Sequence, residues 1–194
     1  MSSLVLTGDT SGQVTIAAPA VAGTNTLTLQ AATATSAVNT LGTAVASTSG
    51  TSIDFTGLPS WIKRITVMFM SCSCSTGSTS PWQIQIGTSG GLQTTGYVGG
   101  AGDRGAEGAS TAGFEIINTP AAASNYSGSV ILTLANSSSG IWVSQGVLAI
   151  DVSGQPKMSA GSKTLSGTLD RVRITTVNGT DTFDAGSVNI LYEG

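Results

Sequence analysis

The amino-acid sequence predicts an all-β protein: an N-terminal extended β stem or arm, then an antiparallel β-sandwich head of jelly-roll or related topology. Three observations carry this. Apolar residues recur at period two, as in Ile65, Val67 and Phe69 or Val130, Leu132 and Leu134. β-branched residues dominate those runs, and Gly, Pro, Asn and Ser punctuate them. No stretch carries a sustained helical period. A chain of 194 residues suits one large all-β domain or one domain with an extension.

In chain order, the first stretch to explain is GQVTIAAPAVAGTNTLTLQAATAT. Val14 and Ile16 alternate with polar residues, then Leu27 and Leu29 do, with a break from Pro19 to Asn25. The surrounding residues are Ala, Gly, Ser and Thr, too little apolar bulk for two strands to stand alone. Small residues in alternation suit a place where chains approach closely, so burial there is expected to come from other polypeptides. AATATSAVNTLGTAV, Ala31 to Val45, reads as a linker. The expected division is therefore 1–44 for stem and linker and 45–194 for the head.

The head opens with TSIDFTG, which points Ile53 and Phe55 inward, and LPSW, where Pro59 breaks the strand. In KRITVMFM, Ile65, Val67 and Phe69 face one way and Arg64, Thr66 and Met68 the other. Trp82, Ile84 and Ile86 then alternate with Gln83 and Gln85. GFEIIN, SVILTLA and IWVSQGVLAID continue the series, and Gly146 inside the last suggests a bulge or bend. RVRITTV places Val172 and Ile174 inside and both arginines outside; Asn178-Gly179 is a turn; SVNILYEG aligns Val188, Ile190 and Tyr192. Roughly eight to ten antiparallel strands with one buried face account for this pattern.

Composition narrows function. Only 9% of residues are charged, against the usual ~25%, yet 40% are hydrophobic and mean hydropathy is +0.25, which argues against a solvated coil. The surface is thus hydroxyl, amide and glycine backbone, as in exposed β-proteins and parts of larger assemblies. The seven basic residues form no stripe beyond Lys63-Arg64 and Arg171/Arg173, so no nucleic-acid partner is expected. A pI near 4.6 opposes binding to anionic membranes. The N-terminus has neither a charged leader nor a long apolar core, so no signal peptide is expected, and no run approaches a membrane span.

Chemistry is sparse. The chain has no histidine, which removes Ser-His-Asp and Cys-His catalysis and most catalytic zinc sites. GTSGG, Gly87 to Gly91, matches a nucleophile-elbow pattern without a base or a following helix. GAGDRG, Gly100 to Gly105, matches the dinucleotide fingerprint, but glycine-rich sequence follows where a helix must start. The span Gly99 to Gly113 reads instead as a long flexible or Ω-type loop. Asp181 and Asp184, and Asp103 and Glu107, read as turn residues rather than a catalytic pair. Cys72 and Cys74, a C-x-C in a strand-like run, read as small half-buried hydrophobes sharing one face, with an intermolecular disulfide left open. Asn125, Asn136 and Asn178 fit the glycosylation pattern at chance level. No enzyme activity, cofactor or metal is expected. Trp61 and Trp82 read as core edges. Trp142 and Tyr126 flank a loop-strand region, and Tyr97 adjoins the glycine-rich segment. Tyr97, Tyr126, Asp103 and Arg104 are the candidate surface contacts, since loop-tip aromatics are what a carbohydrate- or protein-binding surface uses.

LVLTGDTSGQVTIAAPAVAGTNTLTLQAATAT resembles the N-terminal segment of tail-fibre-like virion proteins of tailed bacteriophages. TSGTSIDFTGLPSWIKRITVMFM and DAGSVNILYEG resemble the head domain found with it. The three stretches cover about a third of the chain. The resemblance implies a non-enzymatic virion component, a homotrimer assembled in the host cytoplasm. Its stem, including Val14, Ile16, Leu27 and Leu29, would anchor to other virion proteins, a tail adaptor or nozzle or the capsid. Its head would project outward toward a host-surface glycan or protein. The alternative is a capsid decoration or cement protein whose stem lies on the shell as an arm.

Overall fold

A computed structural model describes residues 3–7, 13–17, 38–75, 80–103, 106–122 and 124–194. The chain divides into two compact units, 1–36 and 37–194. In the first, β1 (Ser3–Thr7) and β2 (Gln13–Ala17) form an antiparallel hairpin, with Leu4 opposite Ile16 and Leu6 opposite Val14.

The second unit is all-β among its described residues and contains two antiparallel sheets. Its strands are β3 (Asn39–Leu41), β4 (Val45–Ala46), β5 (Ser52–Phe55), β6 (Arg64–Cys74), β7 (Trp82–Thr88), β8 (Gly91–Leu92) and β9 (Tyr97–Asp103). They continue as β10 (Ala106–Ala109), β11 (Phe114–Ile117), β12 (Tyr126–Asn136), β13 (Ile141–Ile150), β14 (Pro156–Thr164), β15 (Arg171–Thr176) and β16 (Phe183–Glu193). The large sheet runs β10-β9-β14-β13-β12-β6-β16-β3, with β4 also on β16; the small sheet runs β11-β7-β15-β5, with β8 on β7. Strands β12, β13 and β14 form a meander inside one sheet, a departure from the alternation between sheets of a jelly roll. Residues 39–41 and 45, within the segment read as linker, pair with β16, as does Ala46 just beyond it.

One hydrophobic core draws on both sheets. Ile65, Val67, Phe69, Val130, Leu132, Val188 and Ile190 come from the large sheet; Ile53, Phe55, Trp82, Ile84, Ile86, Val172 and Ile174 come from the small one. All are inward positions of the period-two pattern, so the alternation maps directly onto burial. Trp82 is the hub, with edge-on contacts to Tyr126 and Phe183, each at 5.3 Å between centroids.

Two expectations about glycine change. Most of Gly99 to Gly113 is no loop: residues 99–103 and 106–109 belong to the β9–β10 hairpin, β9 pairs with β14, and 110–113 lies outside the strands. Its glycines are demanded by close approach, because a Cβ on Gly99 would sit 2.3 Å from the Ala160 carbonyl oxygen. Gly146 is no bulge either. It stands opposite Val130 and Ser159 in unbroken register, and the irregularity in that ladder falls between Leu134 and Asn136. A Cβ at Gly146 would lie 2.6 Å from Val130 Cγ2, so packing across the strand pair fixes the residue.

Strand β7 is buried along both faces, Gln83 and Gln85 included. The 110–113 segment lies over its polar side: Gln85 Nε2 donates to the Ala112 carbonyl at 3.0 Å.

Candidate functional site

The residues expected to touch a partner fall in different places. Val14 and Ile16 lie in β2; Leu27 and Leu29 lie outside the described residues. Asp103 closes β9, its backbone opposite Ala106, while its side chain and Arg104 lie outside the described residues. Tyr97 and Tyr126 are corrected outright, being 1% and 0% exposed, so neither forms a surface contact. Each is an amphipathic ring filling the core while its hydroxyl satisfies buried backbone. Tyr97 packs edge-on against Phe114 at 4.9 Å, and its hydroxyl accepts from the Ile86 amide at 2.8 Å and donates to the Gln93 carbonyl at 2.8 Å. The Tyr126 hydroxyl accepts from the Ala121 amide at 3.0 Å. Trp142 is likewise buried, whereas Trp61 is 39% exposed and leans on Tyr192.

Three loops remote in sequence enclose a cavity of about 440 Å³ at one end of the unit. The 137–140 turn is set by Asn136, whose Oδ1 accepts from the amides of Ser138 and Ser139, each at 3.0 Å. The Gly140 carbonyl then accepts from the Leu165 amide at 2.9 Å and ties that turn to the 165–169 segment. The turn after Pro59 supplies the third wall through Ser60 and Ile62. Ile62, Trp142, Leu165 and Leu169 make an apolar floor, and Ser60, Ser137, Ser138, Ser139, Ser166 and Thr168 supply hydroxyls. No ionisable side chain lines it. It can offer neutral hydrogen bonds and apolar contact; general acid–base or nucleophilic chemistry has no group to use there. Each loop reads in sequence as ordinary Ser/Gly turn chemistry, and nothing local announces that the three meet.

The carboxylates behave as structural groups. Asp184 accepts from the Ser73 hydroxyl and Asp181 from Asn178 Nδ2. Among the described residues no group of three or more His, Cys, Asp or Glu is placed to hold a metal. Glu115, 3% exposed, has its pKa raised by burial, and its Oε1 has no hydrogen-bond partner among the described residues. Lys163 donates to the Thr95 carbonyl at 2.8 Å and lies 5.2 Å from the Tyr97 ring centre, with burial lowering its pKa.

Surface charge is unevenly divided. On the outer face of the small sheet Arg173 grips Asp54 through two bonds of 2.6 and 3.0 Å, and Arg171 meets Asp170 at 2.8 Å. On the outer face of the large sheet the Arg64–Glu193 pair lies at one margin. Comparison with protein-family models, characterised proteins and solved structures finds no match to this chain.

Proposed function

We propose that this chain is a structural protein of a tailed-bacteriophage virion, a short tail fibre or appendage with an N-terminal attachment stem and an outward β-sandwich head. The observation that carries the proposal is the small N-terminal unit, 1–36, whose described part is a hairpin of two five-residue strands. A two-stranded hairpin of that size is marginal on its own in water, so its natural role is to complete a surface supplied by other polypeptides. The resemblance of residues 4–35 to tail-fibre-like proteins supports the same role, and three copies winding about an axis would share the burial. The head presents no catalytic constellation among its described residues; its hydroxyl-lined cavity suits a neutral ligand such as a host-surface glycan.

Position and copy number in purified particles test this. Electron microscopy with an antibody against the 37–194 unit should place a few copies at the tail vertex. Hundreds of copies over the shell would overturn the fibre reading in favour of a decoration protein, and absence from particles would overturn both. Incubation of the full chain with host polysaccharide should leave the polymer length unchanged; shortening would overturn the non-enzymatic role.

A further inference from the structure

The outer face of the large sheet departs from an ordinary solvated surface. Val98 on β9 stands in one register row with Ser162 on β14 and Val143 on β13; four residues along, Met158 on β14 stands opposite Val147 on β13. Val98, Val143, Val147 and Met158 are 70%, 38%, 50% and 60% exposed. The row between them continues across the sheet through Ile131 and Leu191. Among the described residues from β9 to β16, the outward side chains carry charge only toward the strand ends, at the Arg64–Glu193 pair on one margin and at Asp184, bonded by Ser73, on the other.

We propose that this face is an interface with a second copy of the same chain. Size supports it. Six strands at about 4.8 Å spacing and seven residues at about 3.3 Å cover roughly 650 Å². Two such faces bury about 1,300 Å² together, within the range of specific interfaces. Charge decides the occupant. A contact between two copies sets the same face against itself, so a net charge of one sign spread over that face repels. The described part of this face keeps its charge at its margins, the self-neutralised Arg64–Glu193 pair at one and Asp184 at the other. It also lacks the charges by which a different protein would be steered and selected. Depletion of charge around exposed Val98, Val143, Val147 and Met158, with half-buried Ile131 and Leu191 in the row between, is the composition of a homo-oligomer contact core. The inference goes beyond the proposed stem and does not depend on it.

Thiol labelling of the full chain tests the face, because Cys72 and Cys74 are buried and silent. Val147→Cys is compared with Val177→Cys, at a turn position where the native Val177 is 44% exposed, and the mass is read by light scattering. The expected result is an oligomer in which the cysteine at 147 labels more slowly than that at 177, with Val143→Lys and Met158→Lys restoring the faster rate. An oligomer with equal rates overturns the proposal and leaves stem-driven assembly standing. Slow labelling at the 19.3 kDa mass of one chain overturns it as well, since the chain's own N-terminal residues would then be the cover. Slow labelling that the lysines do not restore also overturns it. Single-chain mass with fast labelling removes this interface and the trimeric stem together.

Discussion

The hydroxyl of Tyr97, on the large sheet, accepts a hydrogen bond from the backbone amide of Ile86, on the small sheet, at 2.8 Å. The same hydroxyl donates to the Gln93 carbonyl, so both of its roles are used inside the core. The phenol is therefore a brace between the sheets, and burial pushes its pKa up to about 12. Tyr97→Phe leaves the Ile86 amide buried without that acceptor. The expected cost is about 1–3 kcal/mol, read as a fall in melting temperature with the strand signal retained. The raised pKa makes the neutral phenol a native-state preference. Its contribution is complete below the unfolded value near 10 and is lost as pH rises through the folded value near 12. A spectrophotometric titration of the wild type should show one tyrosine ionising near 12, and Tyr97→Phe should delete that step. An unchanged titration would show that another ring carries it.

Glu115 and Gln83 face each other across β11 and β7, and each has a buried side-chain oxygen without a hydrogen-bond partner among the described residues. Burial raises the Glu115 pKa above its usual value. The neutral acid is the form the fold prefers, so stability is greatest below the usual carboxylate pKa and falls as pH rises through the raised one. Glu115→Gln is neutral at every pH. It should raise the melting temperature at pH 8 relative to wild type and leave it little changed at pH 4. Equal effects at both pH values would rule out a titrating Glu115 as the cause.

What the sequence disclosed follows from where side chains carry the pattern. Ile65, Val67 and Phe69 are legible because one face of β6 is buried and the other is not, which is the condition for period two. RVRITTV is legible for the same reason. Residues 97–103 and 106–109 are illegible because glycine has no side chain to alternate, so strands built for close approach look like a loop. Gln83 and Gln85 mark an outward face that is then covered by a segment about thirty residues away, an encounter no local window contains. Tyr97 and Tyr126 stand beside turn residues in the sequence, which suggests exposure, yet their hydroxyls find buried backbone partners. The hydroxyl-lined cavity depends on three loops meeting, which only the strand order decides.

Gly146 offers a packing test separate from backbone freedom. A Cβ there would meet Val130 Cγ2 at 2.6 Å and the Ser129 carbonyl at 3.0 Å. Gly146→Ala should cost about 1–3 kcal/mol by overpacking, measured by urea denaturation with an unchanged slope. Val130→Ala removes the nearer of the two atoms. The double variant should therefore be more stable than the sum of the single effects implies. Strict additivity would show that the clash is relieved elsewhere and that Gly146 is not fixed by Val130.

The two thiols give the sharpest check on the interior. Ser71, at φ +52°, sits at an irregularity in β6, after which Cys72, Ser73 and Cys74 are all buried. The expectation of two half-buried cysteines is corrected in degree: both are enclosed, free thiols. Ser47 donates to Cys72 Sγ at 3.3 Å, and Cys72 points its own proton at the Ser187 carbonyl at 3.2 Å. Burial, first, and then the nearby carboxylates of Asp181 and Asp184 push Cys74 up to about 12. At pH 8 such a thiol is ionised to roughly one part in ten thousand, and the thiolate is the reactive form. The folded chain should therefore leave a disulfide reagent unreacted, and both thiols should react at once on unfolding in guanidinium. The onset of labelling along a denaturant series should coincide with loss of strand signal, since β6 lies between β12 and β16 in the middle of the large sheet. Labelling well before that transition would mean that β6 opens locally, and the placement of these cysteines in the shared core would be wrong.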